Sequence, residues 1–321
     1  MPTLPSERTP EPAPDPDSSP DPDSSPEPDS SPEPAPHQLR GTAESFGIDA
    51  ERYDRSRPRY PQALIDRVVG LVAEDARDMP DVLDVLDVGC GTGIAARQFE
   101  AAGCRVLGVD PDARMAESAR SRGLAVEVAA FEDWDPVGRE FDAVVSGQAW
   151  HWVDPAAGAA KVARVLRPGG PFSLFWNGGS PAPELARAFA EVYRRVLPGS
   201  PAVRHWEKSA TGPYETVCDG AAEAMRGTGA FGAPQRWRFD WERAYARDEW
   251  LEQVSTTGVH TTLPADLQAA VMSGLGAAID EAGGAFTMRH STLAVTAVRT
   301  GPVRTCPVRT GPVRTSPRAH P

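Results

Sequence analysis

Cysteine is scarce in this chain: Cys90, Cys104, Cys218 and Cys306 are four among 321 residues, with no C-x-x-C pair and no histidine at ligand spacing. That scatter speaks against a disulfide framework and against a structural metal site, and it fits a reducing compartment. Long apolar runs are missing too, since no stretch reaches the roughly 18 residues of a membrane span. The opening MPTLPSERTPEP has no apolar signal core. These absences point to a cytoplasmic protein with no membrane partner. Positive charge is in deficit: 33 basic against 45 acidic residues give a net charge of −12, where a nucleic-acid binder needs a basic face to replace counterions on phosphate.

What is present falls into three parts. From Asp15 the sequence repeats DPDSSP, DPDSSP, EPDSSP, without aromatic or branched aliphatic residues, a composition that cannot bury enough to fold. From Val298 it repeats VRTGP, VRTCP, VRTGP, VRTSP, and a proline every fifth residue forbids both a helix and a central strand. We therefore expect disordered tails over residues 1–40 and 299–321 flanking one domain over 41–298. Residues 1–36 carry nine acids against Arg8 and residues 299–321 carry five arginines and no acid, so the middle holds −12 + 8 − 5 = −9.

Within the middle, helical and strand-like patterns alternate. PQALIDRVVGLVAEDA places apolar residues at helical spacing and precedes the β-rich VLDVLDVG. The alternation continues through IAARQFEAAG, CRVLGVD, ARMAESARSRG, LAVEVAAFE, FDAVVSGQ, AAGAAKVARVL and PFSLFWN. Strict alternation predicts right-handed βαβ units: a doubly wound, Rossmann-like α/β sheet, mostly parallel, with helices on both faces. After Asn177 come a helical ELARAFAEVYRRVL, a stretch containing glycine and proline up to Pro234, a strand-like QRWRFDW, two helical segments and a last strand-like TMRHSTLAVTAV. We expect residues 41–177 to carry the ligand half. Residues 178–298 should cap it and complete the sheet with a late antiparallel strand.

In such a sheet the ligand crevice lies beyond the carboxyl ends of the strands, which is where VGCGTG falls. Gly89 and Gly91 permit a sharp turn and a close approach of backbone to ligand, and Gly93 lets the following helix start against the strand. That helix start offers free N–H groups to an anion. The spacing is G-x-G-x-G, not the G-x-G-x-x-G of a dinucleotide fold. This disfavours a nicotinamide oxidoreductase. Asp110, ending the second strand, is placed to accept both hydroxyls of a ribose, and Phe131 and Glu132 after the third strand offer a ring to stack on a purine beside an acceptor for its amine.

Five segments in order, LDVGCGTG, LGVDPD, AFEDW, FDAVVSGQAWHWVD and LRPGG, span about Val82 to Trp176 and resemble the class I S-adenosylmethionine-dependent methyltransferases. The wording of SGQAWHWVDP, with AERYDRSRPRYP upstream, looks most like the bacterial small-molecule branch that includes ubiquinone/menaquinone-type and trans-aconitate-like enzymes. The resemblance implies S-adenosylmethionine as cofactor, with Gly89, Gly91 and Gly93 beside its methionine moiety and Asp87 supporting their loop. Asp110 would take the ribose, Phe131 and Glu132 would flank the adenine, and Gln148 would line the floor near the sulfonium. An N-terminal segment closes over the cofactor in such proteins, which makes Tyr53 and Arg57 candidates to cover it, Arg57 pairing with the amino-acid carboxylate.

Trp150, His151 and Trp152 follow the fourth strand at the mouth of the crevice. His151 is the candidate to take a proton near neutral pH, against the plainer reading of a packed, hydrogen-bonded histidine between two tryptophans. Methyl transfer to a small organic acceptor at oxygen, nitrogen or carbon is the activity implied; a nonenzymatic S-adenosylmethionine-binding or regulatory module is the alternative. The acceptor would be chosen after Asn177, with Ala222–Gly232 and the helices around Trp250 as a lid.

Overall fold

The structure, a computed structural model, describes residues 45–75, 81–207 and 212–300. The acidic repeat, the basic repeat beyond Thr300 and Cys306 lie outside the described residues. Strands β1 (Asp84–Val88), β2 (Arg105–Asp110), β3 (Ala125–Val128), β4 (Ala143–Gly147), β5 (Pro171–Ser180), β6 (Gln235–Ala246) and β7 (Ala285–Val298) form one sheet in the order β3-β2-β1-β4-β5-β7-β6. The first five pair in parallel, and β7 runs antiparallel to both β5 and β6. This is the doubly wound, Rossmann-like sheet with a late antiparallel strand that the alternation predicted.

Helices cover both faces, as a parallel sheet requires. They are α1 (Ala50–Ser56), α2 (Gln62–Asp75), α3 (Ile94–Ala101), α4 (Ala113–Arg120), α5 (Pro155–Val165), α6 (Pro183–Val196), α7 (Pro201–Glu207), α8 (Gly212–Thr228), α9 (Arg247–Ser255), α10 (Gly258–Thr261) and α11 (Ala265–Glu281). Successive strand residues point to opposite faces. Val85 therefore joins Leu64 and Ile65 of α2 and Phe99 of α3, while Leu86 joins Val162 of α5 and Met225 of α8. Each such side chain, fully buried, contributes about 1.5–3 kcal/mol. A third core gathers Phe189 and Tyr193 of α6, Trp250 of α9, Leu275 of α11 and Tyr245 of β6. Its members all follow β5 in the chain.

The stretch containing glycine and proline up to Pro234, for which no element was expected, contains α7 and α8. Glycine and proline usually interrupt a helix, yet Gly212 and Pro213 open α8, where proline is tolerated, and Gly220 and Gly227 face open space. The expected lid over Ala222–Gly232 is corrected accordingly: Ala222, Met225 and Phe231 are buried in the core on one face of the sheet. The folded part also runs past Val298, because Arg299 pairs with Phe231 and its N–H donates to the Gly170 carbonyl at 2.9 Å. No described helix is long and apolar enough to cross a membrane.

Carboxylates at the amino ends of the strands are paired. Asp84 accepts from Arg105 Nε at 2.6 Å, and Asp142 accepts from Arg167 Nη1 at 2.5 Å and from the Asp84 N–H at 2.7 Å. The opposite end of the sheet differs.

Candidate functional site

At the carboxyl ends of the strands lies a cavity of about 610 Å³. The β1 strand delivers Asp87 to it, and the chain then turns through Gly89–Gly93 into α3. Gly89 N–H and Cys90 N–H both donate to the Val109 carbonyl, at 2.8 and 3.2 Å, which pins the loop to β2. Gly89 has φ +68°, and a Cβ there would overlap that of Ala149. Gly89 and Gly91 line the cavity, whereas Gly93 does not: it caps α3 and packs toward Leu124.

Asp110 joins loop to strand. Its Oδ2 accepts from the Gly91 N–H at 2.7 Å and its Oδ1 from the Asp112 N–H at 2.9 Å. Burial raises its carboxyl to about 6 despite these two amides. Each oxygen keeps a second lone pair toward the cavity it lines.

Asp87 is only 1% exposed, and both its carboxylate oxygens are buried without a hydrogen-bond partner among the described residues. Burial first, then the Asp110 charge, pushes its carboxyl up to about 8. The backbone amide of Ala96, in the first turn of α3 directly after the glycine loop, draws it the other way. A buried carboxylate without a partner is costly unless a cation meets it, and this one borders a ligand-sized cavity. Asp84 and Asp142, by contrast, have their arginines in place.

Phe46, Tyr53 and Arg57 of the N-terminal segment line the cavity. Tyr53 lies on α1 and Arg57 just beyond it, with the Arg57 guanidinium 4.6 Å from the Tyr53 ring centre and 6.0 Å from that of Phe46. Arg57 Nη2 donates to the Thr256 carbonyl at 2.9 Å while its Nε stays buried and unpartnered. Sequence reasoning missed the residue that fastens this segment, Asp54. Its Oδ1 accepts from Thr92 Oγ1 at 2.7 Å and Arg97 Nη2 at 2.6 Å, and its Oδ2 lies 3.3 Å from Arg122 Nε. Burial opposes its ionisation, but these bonds and charges hold the carboxyl below its ordinary value. In RYDRSR nothing distinguishes it from its charged neighbours; only the tertiary position of Thr92 does. Replacing Asp54 by Ala leaves two arginines without their shared counter-ion. Trypsin should then cut after Arg52 and Arg55 faster than in the parent, and an unchanged rate would remove the clasp.

Phe131 and Glu132 both line the cavity and both have structural partners. Phe131 is 3% exposed and lies 6.1 Å from Trp134 in a stacked pair. Glu132 Oε1 accepts from the Asp154 N–H at 2.9 Å, at the start of α5. Gln148 follows β4 directly, with φ +58°, a left-handed conformation uncommon outside glycine. Its side-chain amide donates to the Asn177 carbonyl at 3.1 Å. Such strain concentrates where a site demands it.

His151 lines the cavity, and its Nδ1 accepts from the Trp176 indole N–H at 3.2 Å. An indole N–H can only donate, so the neutral imidazole carries its own proton on Nε2. Burial pushes its pKa down to about 4. The structure therefore departs from the expected proton acceptor: at neutral pH this ring is an uncharged donor, because Trp176 occupies the free nitrogen. Among the described residues no group of three His, Cys, Asp or Glu side chains could hold a metal ion.

Residues 86–174 match the family described as a methyltransferase domain. An uncharacterized methyltransferase of Mycobacterium tuberculosis is 38% identical over 141 residues, covering 43% of this chain and 54% of that protein. The malonyl-[acyl-carrier protein] O-methyltransferase of Enterobacter lignolyticus is 33% identical over 111 residues, covering 34% and 44%. The chain thus spans about half the length of these curated relatives. A solved structure from Anaeromyxobacter dehalogenans, provisionally described as a type II methyltransferase, superposes with a TM-score of 0.51 at 25% identity, covering 77% of this chain and 99% of that one.

Proposed function

We propose that this chain, which belongs to the class I S-adenosylmethionine-dependent methyltransferases, transfers a methyl group to a small organic acceptor at oxygen, nitrogen or carbon. The observation that carries the reading is Asp87: a buried carboxylate without a counter-ion among the described residues, bordering the cavity beside the glycine loop. The α-ammonium of an amino-acid cofactor satisfies it. Arg57, with a free Nε at the same cavity, would take the cofactor's carboxylate. Asp110 would accept the ribose hydroxyls on its remaining lone pairs, and Gly89 and Gly91 would let the backbone pass close to the methionine chain. Phe131 and Glu132 would border the adenine, and Gln148 the sulfonium.

Bound there, S-adenosylmethionine supplies an electrophilic methyl group whose thioether leaves without acid assistance. The protein's contribution is then chiefly alignment, which by itself can lower a barrier by about 7–11 kcal/mol. Tyr53 and Arg57 cover the site and exclude water. His151, locked by Trp176, holds an acceptor's oxygen or nitrogen through its Nε2–H and does not remove its proton.

Calorimetry with S-adenosylhomocysteine tests the binding half. Asp110→Ala removes the ribose acceptor and frees two loop amides, and it should weaken that affinity by about 1–3 kcal/mol. Unchanged affinity in the folded variant would count against the ribose assignment. Formation of S-adenosylhomocysteine over a panel of metabolites tests the transfer half, and binding with no turnover on any acceptor would favour a regulatory module.

A further inference from the structure

Charge is divided along the cavity. Asp87, Asp110, Asp112 and Glu132 border the glycine-loop end, Arg57 stands beside them, and among the described residues no other Asp, Glu, Lys or Arg lines it. The remainder is walled by rings from four helices: Tyr193 of α6, Trp206 of α7, Tyr214 of α8 and Trp250 of α9. Three imidazoles also face this part, His205, His260 and His290. Burial lowers all three, the last two to about 4, so at neutral pH they add no charge.

A carboxylate entering here would lose its water without gaining a counter-ion. The one guanidinium among the described lining residues, Arg57, is the one assigned above to the cofactor's carboxylate, and its Nη2 is held by the Thr256 carbonyl. Hydrogen-bonding capacity, however, is left over. Trp250 Nε1, Gln253 Oε1 and His260 Nδ1 are buried with no partner, on residues that line the same walls. The first donates, the second accepts, and the third does either, according to how its Nε2 shares the proton with the Tyr193 hydroxyl 2.8 Å away. Flat rings offset against Trp and Tyr faces gain about 0.5–1.5 kcal/mol beyond the area they bury.

We infer that this ring-walled chamber takes an uncharged, flat acceptor that presents both a hydrogen-bond donor and a hydrogen-bond acceptor, and turns away carboxylate-bearing molecules. The inference rests on the methyl-transfer reading, and it runs against the tricarboxylate that resemblance to trans-aconitate-like enzymes would suggest. An aromatic amide is the simplest chemistry of this class: its N–H meets Gln253 Oε1 and its carbonyl meets the Trp250 N–H.

The test uses the full chain saturated with S-adenosylhomocysteine and two pairs of fragments differing only in charge, salicylamide against salicylate and nicotinamide against nicotinate. Ligand-observed NMR titration should give each amide an affinity about tenfold or more above its acid, and Gln253→Leu should lower the amide's affinity by about the same factor. Equal or preferential binding of the acids, or binding of neither member at millimolar concentration, overturns the chamber assignment. Failure of the chain to bind S-adenosylhomocysteine in the first place overturns the cofactor reading and everything resting on it. The calorimetric step thereby separates the two failures.

Discussion

Asp87→Asn should cost two to three orders of magnitude in affinity for S-adenosylhomocysteine while raising the melting temperature of the ligand-free protein. The loss follows from stranding an ammonium opposite an amide, since removing one partner of a buried ion pair costs about 3–5 kcal/mol. The gain in stability follows from linkage. A carboxyl held at about 8 in the folded chain and near 4 when unfolded keeps a proton in the native state that the unfolded state has already released. Stability therefore falls as pH rises between those values and levels off above the upper one. The variant lacks this term, so its melting point should exceed the parent's by a margin that widens toward pH 8. The same sign governs the parent's ligand affinity. An ammonium needs Asp87 ionised, so binding should tighten close to tenfold from about pH 6 to about pH 7 with release of a proton. Calorimetry in buffers of different ionisation enthalpy measures that proton. Affinity indifferent to pH, together with wild-type binding by Asp87→Asn, would sink the ammonium assignment.

Gly89→Ala should abolish detectable cofactor binding and destabilise the fold by about 1–3 kcal/mol, the cost of a non-glycine residue in a sparsely allowed backbone region. The added Cβ does more than strain the turn, because it overlaps the Ala149 Cβ. That contact must push apart the loop after β1 and the end of β4, where Gln148 and His151 sit. Gly91→Ala is the internal control. Its φ is also positive, at +54°, but a Cβ there meets only Met115 Cε at 3.8 Å. It should show the backbone cost with less loss of binding. Urea denaturation and calorimetry on the pair read both effects, and equal binding losses would mean that the Ala149 contact is irrelevant.

The parallel half of the sheet was legible because each of its elements carries its own signal. Val85 to Val88 is a short β-rich run, interrupted only by Asp87 and followed by glycine, and α3 and α4 are followed by glycines of their own. The glycine loop and Asp110 could be placed from spacing because strand order fixes which strand ends meet. Four things were not legible, each for a physical reason. Helices α7 and α8 were concealed by Gly212, Pro213, Gly220 and Gly227, which sit at an opening turn or on an open face where they do little harm. The state of Asp87 depends on what is missing around it, and no local pattern encodes a missing partner. Asp54 acts through Thr92, Arg97 and Arg122, contacts made across long loops of chain. The chamber walls come from four helices and converge only after the third core has packed.

The placement of β7 between β5 and β6 bears on how the polypeptide is made. Until the ribosome has delivered residues 285–298, β5 keeps an open flank whose Phe172, Leu174 and Trp176 are fully buried in the finished molecule. For that interval the nascent chain offers an unpaired apolar edge, the kind of surface that invites wrong pairing. Completion thus comes late and nearly at once, as one strand slots in and closes both neighbours.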